Sequence, residues 1–176
     1  MVVVLIIVAL IAVWFIATSN KFNQTKVKID ESLSDIDVAL QKRSDVLTKM
    51  IDVCKAYAKH EKETIFETIN LRKGMSVGEI AEASKAMDEN LSRINVLAEA
   101  YPELKSSENF KELQKGIADV EEHLQAARRA YNSNVSAFNQ MLVTFPASII
   151  ANAKKLTKEP FFEAEAGKKE DVKIDL

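Results

Sequence analysis

The chain has 176 residues and a formal net charge of −2, with 24 basic and 26 acidic residues mixed along its length. No block of like charge reaches five residues, so there is no basic face to neutralise phosphates and no nucleic-acid partner is expected. A single cysteine, Cys54, excludes an intrachain disulfide; at a helical core position it reads as a small apolar filler. Gly (4) and Pro (3) are scarce, while Ala, Leu, Glu and Lys abound, which predicts few turns and long helices.

The N-terminus comes first. Met1 to Ala17 carry no charged or strongly polar side chain. As a helix this run spans about 25 Å, close to the hydrocarbon thickness of a bilayer. Trp14 and Phe15 lie near its end, where aromatic rings favour the interface, and Thr18, Ser19, Asn20 and Lys21 mark an exit into water. A cleaved signal peptide would want Lys or Arg before the run, and none is there. A buried core helix would show a polar face, and this segment has none. The expected reading is a transmembrane anchor over residues 1–20, in contact with lipid through residues 1–17. Lys21, Lys26 and Lys28 follow the span, which places the C-terminal domain in the cytoplasm by the positive-inside rule.

Beyond the anchor, apolar residues recur at helical spacing. Ile29, Leu33, Ile36, Leu40, Leu47, Ile51, Cys54 and Ala58 share one face. No Pro or Gly interrupts Val2 to Lys73, so the anchor can run into the first bundle helix without a break; residues 27–73 form either one helix or two with a bend near His60. A second stripe, Ile65, Phe66 and Ile69, leads to Gly74, a helix stop. Ser76 and Glu79 have the spacing of a capping box and open the next helix, striped by Ile80, Met87, Leu91, Ile94 and Ala98. Pro102 ends it, and Ser106, Ser107 and Asn109 offer new caps. The last long helix carries Phe110, Leu113, Ile117, Val120, Leu124, Ala127 and Tyr131, then Val135, Phe138, Leu142 and Phe145 up to Pro146. A repeat so close to seven suits shallow-angle bundle packing. A short amphipathic stretch covers Ile149 to Leu156. From 161 to 176 the chain is a charged tail, expected to be disordered or loosely attached from Glu163. The fold class expected is all-α: an N-terminal transmembrane helix, then an up-and-down antiparallel bundle of about four long helices over residues 21–160.

Chemistry is sparse. His60-Glu61 looks like half a zinc motif, but position 64 is Thr. A di-iron bundle needs Glu-x-x-His on two helices, and the partner positions of His60 and His123 hold Tyr57 and Val120. There is no P-loop, no Gly-x-Gly-x-x-Gly and no Gly-x-Ser-x-Gly. No catalytic residue, metal ligand or cofactor is expected, and the chain does not read as an enzyme. Several polar residues do fall on or beside the stripes: Arg43, Tyr57, His60, Glu61, Arg72, Glu121, Arg128, Asn132 and Asn139. They form either a hydrogen-bonded network that fixes helix register, a solvated helix face, or a pocket or docking surface.

These residues also carry a resemblance. Asp37, Gln41-Lys42-Arg43-Ser44-Asp45-Val46-Leu47 and Tyr57-Ala58-Lys59-His60-Glu61 resemble the first characteristic block of the LemA family. Tyr101-Pro102-Glu103-Leu104-Lys105, Asn109-Phe110 and Leu113-Gln114 resemble its central signature. Glu121, Ala127-Arg128-Arg129-Ala130-Tyr131-Asn132, Asn139 and Phe145-Pro146 resemble the third, and Phe161-Phe162-Glu163 the closing motif. Two details depart: Thr48-Lys49 stands where the family usually has Pro, and Lys21-Phe22-Asn23 where it usually has an aromatic or Tyr-Asn pair. The resemblance implies an N-terminal anchor and a four-helix bundle in a bacterial membrane protein, with no established activity. The expected function is a non-catalytic interaction or scaffolding module with an unidentified protein partner. The alternative is a ligand-sensing bundle that binds a small molecule between its helices.

Overall fold

A computed structural model describes residues 1–57, 71–72 and 74–162. Among these residues there are five helices: α1 (Val2–Tyr57), α2 (Val77–Ala100), α3 (Pro102–Ser106), α4 (Glu108–Val143) and α5 (Ala147–Ala153). There is no strand among them, and the chain is all-α. Helix α1 passes unbroken from the apolar run into the striped segment, because nothing in Val2–Tyr57 removes a backbone donor or adopts a left-handed turn. The second stripe, Ile65, Phe66 and Ile69, Ala58 and a bend near His60 lie outside the described residues, as does the tail from Glu163.

The start and stop signals act as their chemistry requires. The Ser76 hydroxyl accepts from the Glu79 N–H at 3.3 Å, and the Ser76 N–H donates to the Glu79 carboxylate at 2.8 Å, closing the capping box of α2. The Ser76 backbone and hydroxyl bonds, with Arg72 beside them, hold the Glu79 carboxyl below its usual range. Gly74 takes φ 77°, the left-handed region open to glycine. Pro102 ends α2 and opens α3, where its missing N–H costs nothing. Ser107 accepts from the Phe110 N–H at 3.4 Å at the start of α4.

The chain forms two compact units. One joins residues 1–29 to the chain from Tyr131 onward, and the other spans Asp30–Ala130. In the second, Ile36, Leu40, Leu47, Met50 and Cys54 of α1 are buried with Ile80, Met87, Ile94 and Ala98 of α2, Leu104 of α3, and Phe110, Ile117 and Leu124 of α4. Burial pushes the Cys54 thiol up to about 11, as a core filler's would be. Arg43 lies against Glu121, and Val46 against Gly116, so α1 and α4 run antiparallel there. Helix α4 runs against α2 as well, since Ser84 meets Arg128 and Arg43 bridges Asp88 to Glu121.

In the first unit α1 and the end of α4 are antiparallel. Phe22 meets Phe138 edge to face at 5.9 Å between centroids, and the Lys28 carbonyl accepts from Asn134 at 3.1 Å. Tyr131, Val135 and Phe138 complete the stripe of α4. Phe145 does not extend it: α4 stops at Val143, helical spacing lapses, and Phe145 is 78% exposed. The apolar run of α1 has a mean hydropathy of 2.9 and none of it is buried, so it is not a core helix; it is long and apolar enough to cross a membrane.

Leu124 is fully buried and Glu122 is exposed on the same turn of α4. Leu124→Asp is expected to unfold the domain, because an unpaired buried charge costs several kcal/mol against a total of about 5–15. Glu122→Ala is expected to cost under about 1 kcal/mol. Urea denaturation checks both, and equal midpoints would show the stripe to be misassigned.

Candidate functional site

A polar layer sits inside the Asp30–Ala130 unit. On α1 the buried positions Ile36, Leu40, Leu47, Met50 and Cys54 leave one gap in their three-four stepping, and Arg43 fills it. On α4, Glu121 and Arg128 flank Leu124 by three and four residues; on α2, Ser84 lies between Ile80 and Met87. These positions would normally be apolar. The Arg43 side chain is only 3% exposed. Its guanidinium pairs with Asp88, pairs with Glu121 at 3.1 Å and donates to the Ser84 hydroxyl at 3.3 Å. Arg128 donates to the same hydroxyl at 2.7 Å. Both guanidinium groups thus share the Ser84 hydroxyl, and Arg43 links it to the two carboxylates. Glu121 also accepts from Gln125 at 2.9 Å.

The unit that contains Tyr131 onward holds a second polar arrangement, a clamp. Asn132 donates to the Phe162 carbonyl at 2.8 Å and accepts from the Phe162 N–H at 2.7 Å. Asn139 does the same for Glu159, at 2.9 Å in both directions. A carboxamide carries one acceptor and two donors, so it can stand in for the peptide group of a neighbouring strand. The spacing fits: seven residues of helix rise about 10.5 Å, and three residues of extended chain span about 10 Å. The Tyr131 hydroxyl donates to the Pro160 carbonyl at 3.0 Å, and Lys26 pairs with Glu159 at 3.3 Å. Phe162, which composition assigns to the tail, is buried at 6% exposure. Phe162 is thus tied to α4 by both its backbone groups.

The nine polar residues singled out in the sequence separate accordingly. Arg43, Glu121 and Arg128 meet in the layer, and Asn132 and Asn139 form the clamp. Arg72 is exposed, paired with Glu79 at the start of α2. Tyr57 is the last residue of α1 and 40% exposed. His60 and Glu61 lie outside the described residues. Ser84, Asp88, Tyr131, Lys26 and Glu159 are among the participants that the sequence pattern did not single out. Ser84 had a signal, a small polar residue on the Ile80–Met87 stripe, whereas Tyr131 passed as apolar.

The Asp30–Ala130 unit holds two concavities among its described residues. One, of about 530 Å³, is lined by Ser34, Asp37, Leu40, Gln41, Arg72 and Met75 among others, and burial raises the Asp37 carboxyl above its usual range. The other, of about 400 Å³, lies between α1 and α4 against Asp35, Lys42, His123, Ala127 and Ala130.

The two motifs that meet in the clamp, Tyr131-Asn132 with Asn139 and Phe161-Phe162, are those of one family, and the profile described as the LemA family matches residues 32–176. The chain belongs to the LemA family. It is similar to "Protein LemA" of Metamycoplasma hominis (strain ATCC 23114 / DSM 25592 / NBRC 14850 / NCTC 10111 / PG21), with 26% identity over 163 residues, covering 90% of this chain and 74% of the relative. The family match begins inside α1, past the apolar run, and takes in both the layer and the clamp of this LemA-family chain.

Arg43→Met is expected to destabilise the domain by about 3 kcal/mol, because it removes the cation that pairs with both Asp88 and Glu121. Replacing Asp88 and Glu121 by Leu in the same chain is expected to recover most of that loss. Denaturant midpoints of the single and triple variants check this. A single variant as stable as the parent would mean that Arg43 contributes nothing to the layer.

Proposed function

We propose that this LemA-family chain is a non-catalytic interaction module, held at a bacterial membrane by its N-terminal helix and recruiting a protein partner there. The observation that carries the reading is the character of α1: one helix, bare and apolar over its first turns, that continues into a packed stripe. A helix satisfies its own backbone hydrogen bonds and so can enter hydrocarbon and leave it without a break. The polar layer supports a structural role, because its buried Arg43 is paired with the carboxylates of Asp88 and Glu121. A hydrolytic or redox site would instead aim reactive groups at an open cleft. The charge-mixed outer faces suit a protein partner and not nucleic acid.

The folded domain belongs in the cytoplasm on this reading. Lys21, Lys26 and Lys28 follow the span and resist transfer against the membrane potential. One observation favours a second reading, a small-molecule sensor: the cavity beside Asp37, Gln41 and Arg72 has the volume of a ligand site.

Affinity capture from solubilised host membranes tests both readings. The full chain is compared with a variant that lacks residues 1–17. A protein recovered only with the full chain supports the module. A tightly held small molecule with no protein supports the sensor. Topology is checked with a membrane-impermeant thiol reagent on intact cells carrying Lys169→Cys. Position 169 is expected to stay unlabelled, and strong labelling beside an unlabelled cytosolic control would overturn the cytoplasmic assignment.

A further inference from the structure

In the unit that joins residues 1–29 to the end of α4, the register fixes where the α4–α5 turn lies. Phe138 sits at the level of Phe22. Val143 is five residues further along α4, a rise of about 7.5 Å toward the start of α1. That brings it to the level of Ala17, the last residue of the apolar run. Lys154, just past α5, hydrogen-bonds Ser19 and ties the far end of α5 to the same level. The covered face of α1, Phe22, Thr25 and Ile29, continues through Thr18 to Trp14. Trp14 and Thr18 are half-buried, whereas Val13, Phe15 and Ile16 are exposed. The turn therefore reaches alongside the apolar run itself.

What the turn presents there is apolar. Val143 is 67% exposed, Phe145 78% and Ile149 55%. Among the described residues Phe145 is the most exposed large apolar side chain outside the N-terminal run. Lys154 and Lys155 follow α5, Lys21 lies two residues past Ser19, and all three are exposed. Apolar and aromatic side chains accompanied by lysine are the pattern of a surface that rests in the headgroup region, with the ammonium groups reaching lipid phosphate.

We propose that the α4–α5 turn is a second membrane contact, a foot in which Val143, Phe145 and Ile149 enter the bilayer interface beside the anchor. The inference rests on the anchor reading and adds to it. With the foot, the bundle meets the membrane at two places, which limits its rotation about α1. The occupant is lipid, because the patch is continuous with the apolar surface of α1 and lies at its water-side end.

The test uses the full chain in lipid nanodiscs of zwitterionic and anionic phospholipid, in a Cys54→Ala background. An environment-sensitive fluorophore is attached through Phe15→Cys, Phe145→Cys, Ile149→Cys or Val96→Cys in turn; Val96 is exposed on α2 and serves as the aqueous control. Lipids with a nitroxide near the headgroup supply the quencher. The expected result is a blue shift and loss of emission at 15, 145 and 149, with no change at 96. Quenching at 15 but at neither 145 nor 149 would overturn the foot and leave the anchor standing. No quenching at 15 would overturn the anchor, and the foot with it. Phe145 and Ile149 are exposed, so labels there do not disturb the core, and circular dichroism of each variant confirms the helix content.

Discussion

Everything in this protein hangs on α1 remaining a helix from Val2 to Tyr57. Its first turns are apolar on every side, and none of their residues is buried. From Phe22 onward the apolar residues withdraw to one face, and polar residues take the rest. The change from an all-round apolar surface to a single apolar face is therefore written in side chains alone, while the backbone goes on unaltered. That is possible because an α-helix closes its hydrogen bonds within itself, in lipid as in water. A glycine or proline near Thr18–Lys21 would instead have made a joint, and the chain has neither.

Two polar devices then set the arrangement of the helices, each inside its own unit. The layer around Ser84 places charge where the heptad pattern asks for Leu. Such layers add little net stability, because desolvation offsets most of the attraction. Their use lies in specificity: a helix slipped by one turn would leave Arg43 facing hydrocarbon. The clamp works differently. Asn132 and Asn139 read only the backbone of residues 159–162, while the sequence preference comes from the pocket that buries Phe162 and from Lys26 opposite Glu159.

Much of the fold was legible because its signals are local. The three-four stepping of Phe110 to Tyr131, the Ser76–Glu79 box and the stops at Pro102 and Pro146 are all properties of a few adjacent residues. The polar residues were legible as exceptions to the pattern, since an arginine on an apolar stripe stands out. Their partners were harder to find. Asp88 lies one position beside the stripe of α2, and nothing local says that Arg43, forty-five residues earlier, will reach it. Phe162 was hidden for a related reason. The charged segment after it dominates the composition, whereas its burial depends on an asparagine thirty residues away. Phe145 failed in the opposite sense, because the period that predicts burial holds only while the helix lasts.

The central claim is continuity of α1 between the apolar run and the packed face. Nitroxide scanning of residues 12–29, one position at a time in lipid nanodiscs, measures it directly. Side-chain mobility is expected to oscillate with a period of about 3.6 residues through the whole stretch, with Trp14, Thr18, Phe22, Thr25 and Ile29 on the restricted side. Over Thr18–Lys21 the favoured collision partner is expected to change from oxygen to a water-soluble nickel complex without loss of that period. A run of consecutive, uniformly mobile positions at Thr18–Lys21 would contradict the account.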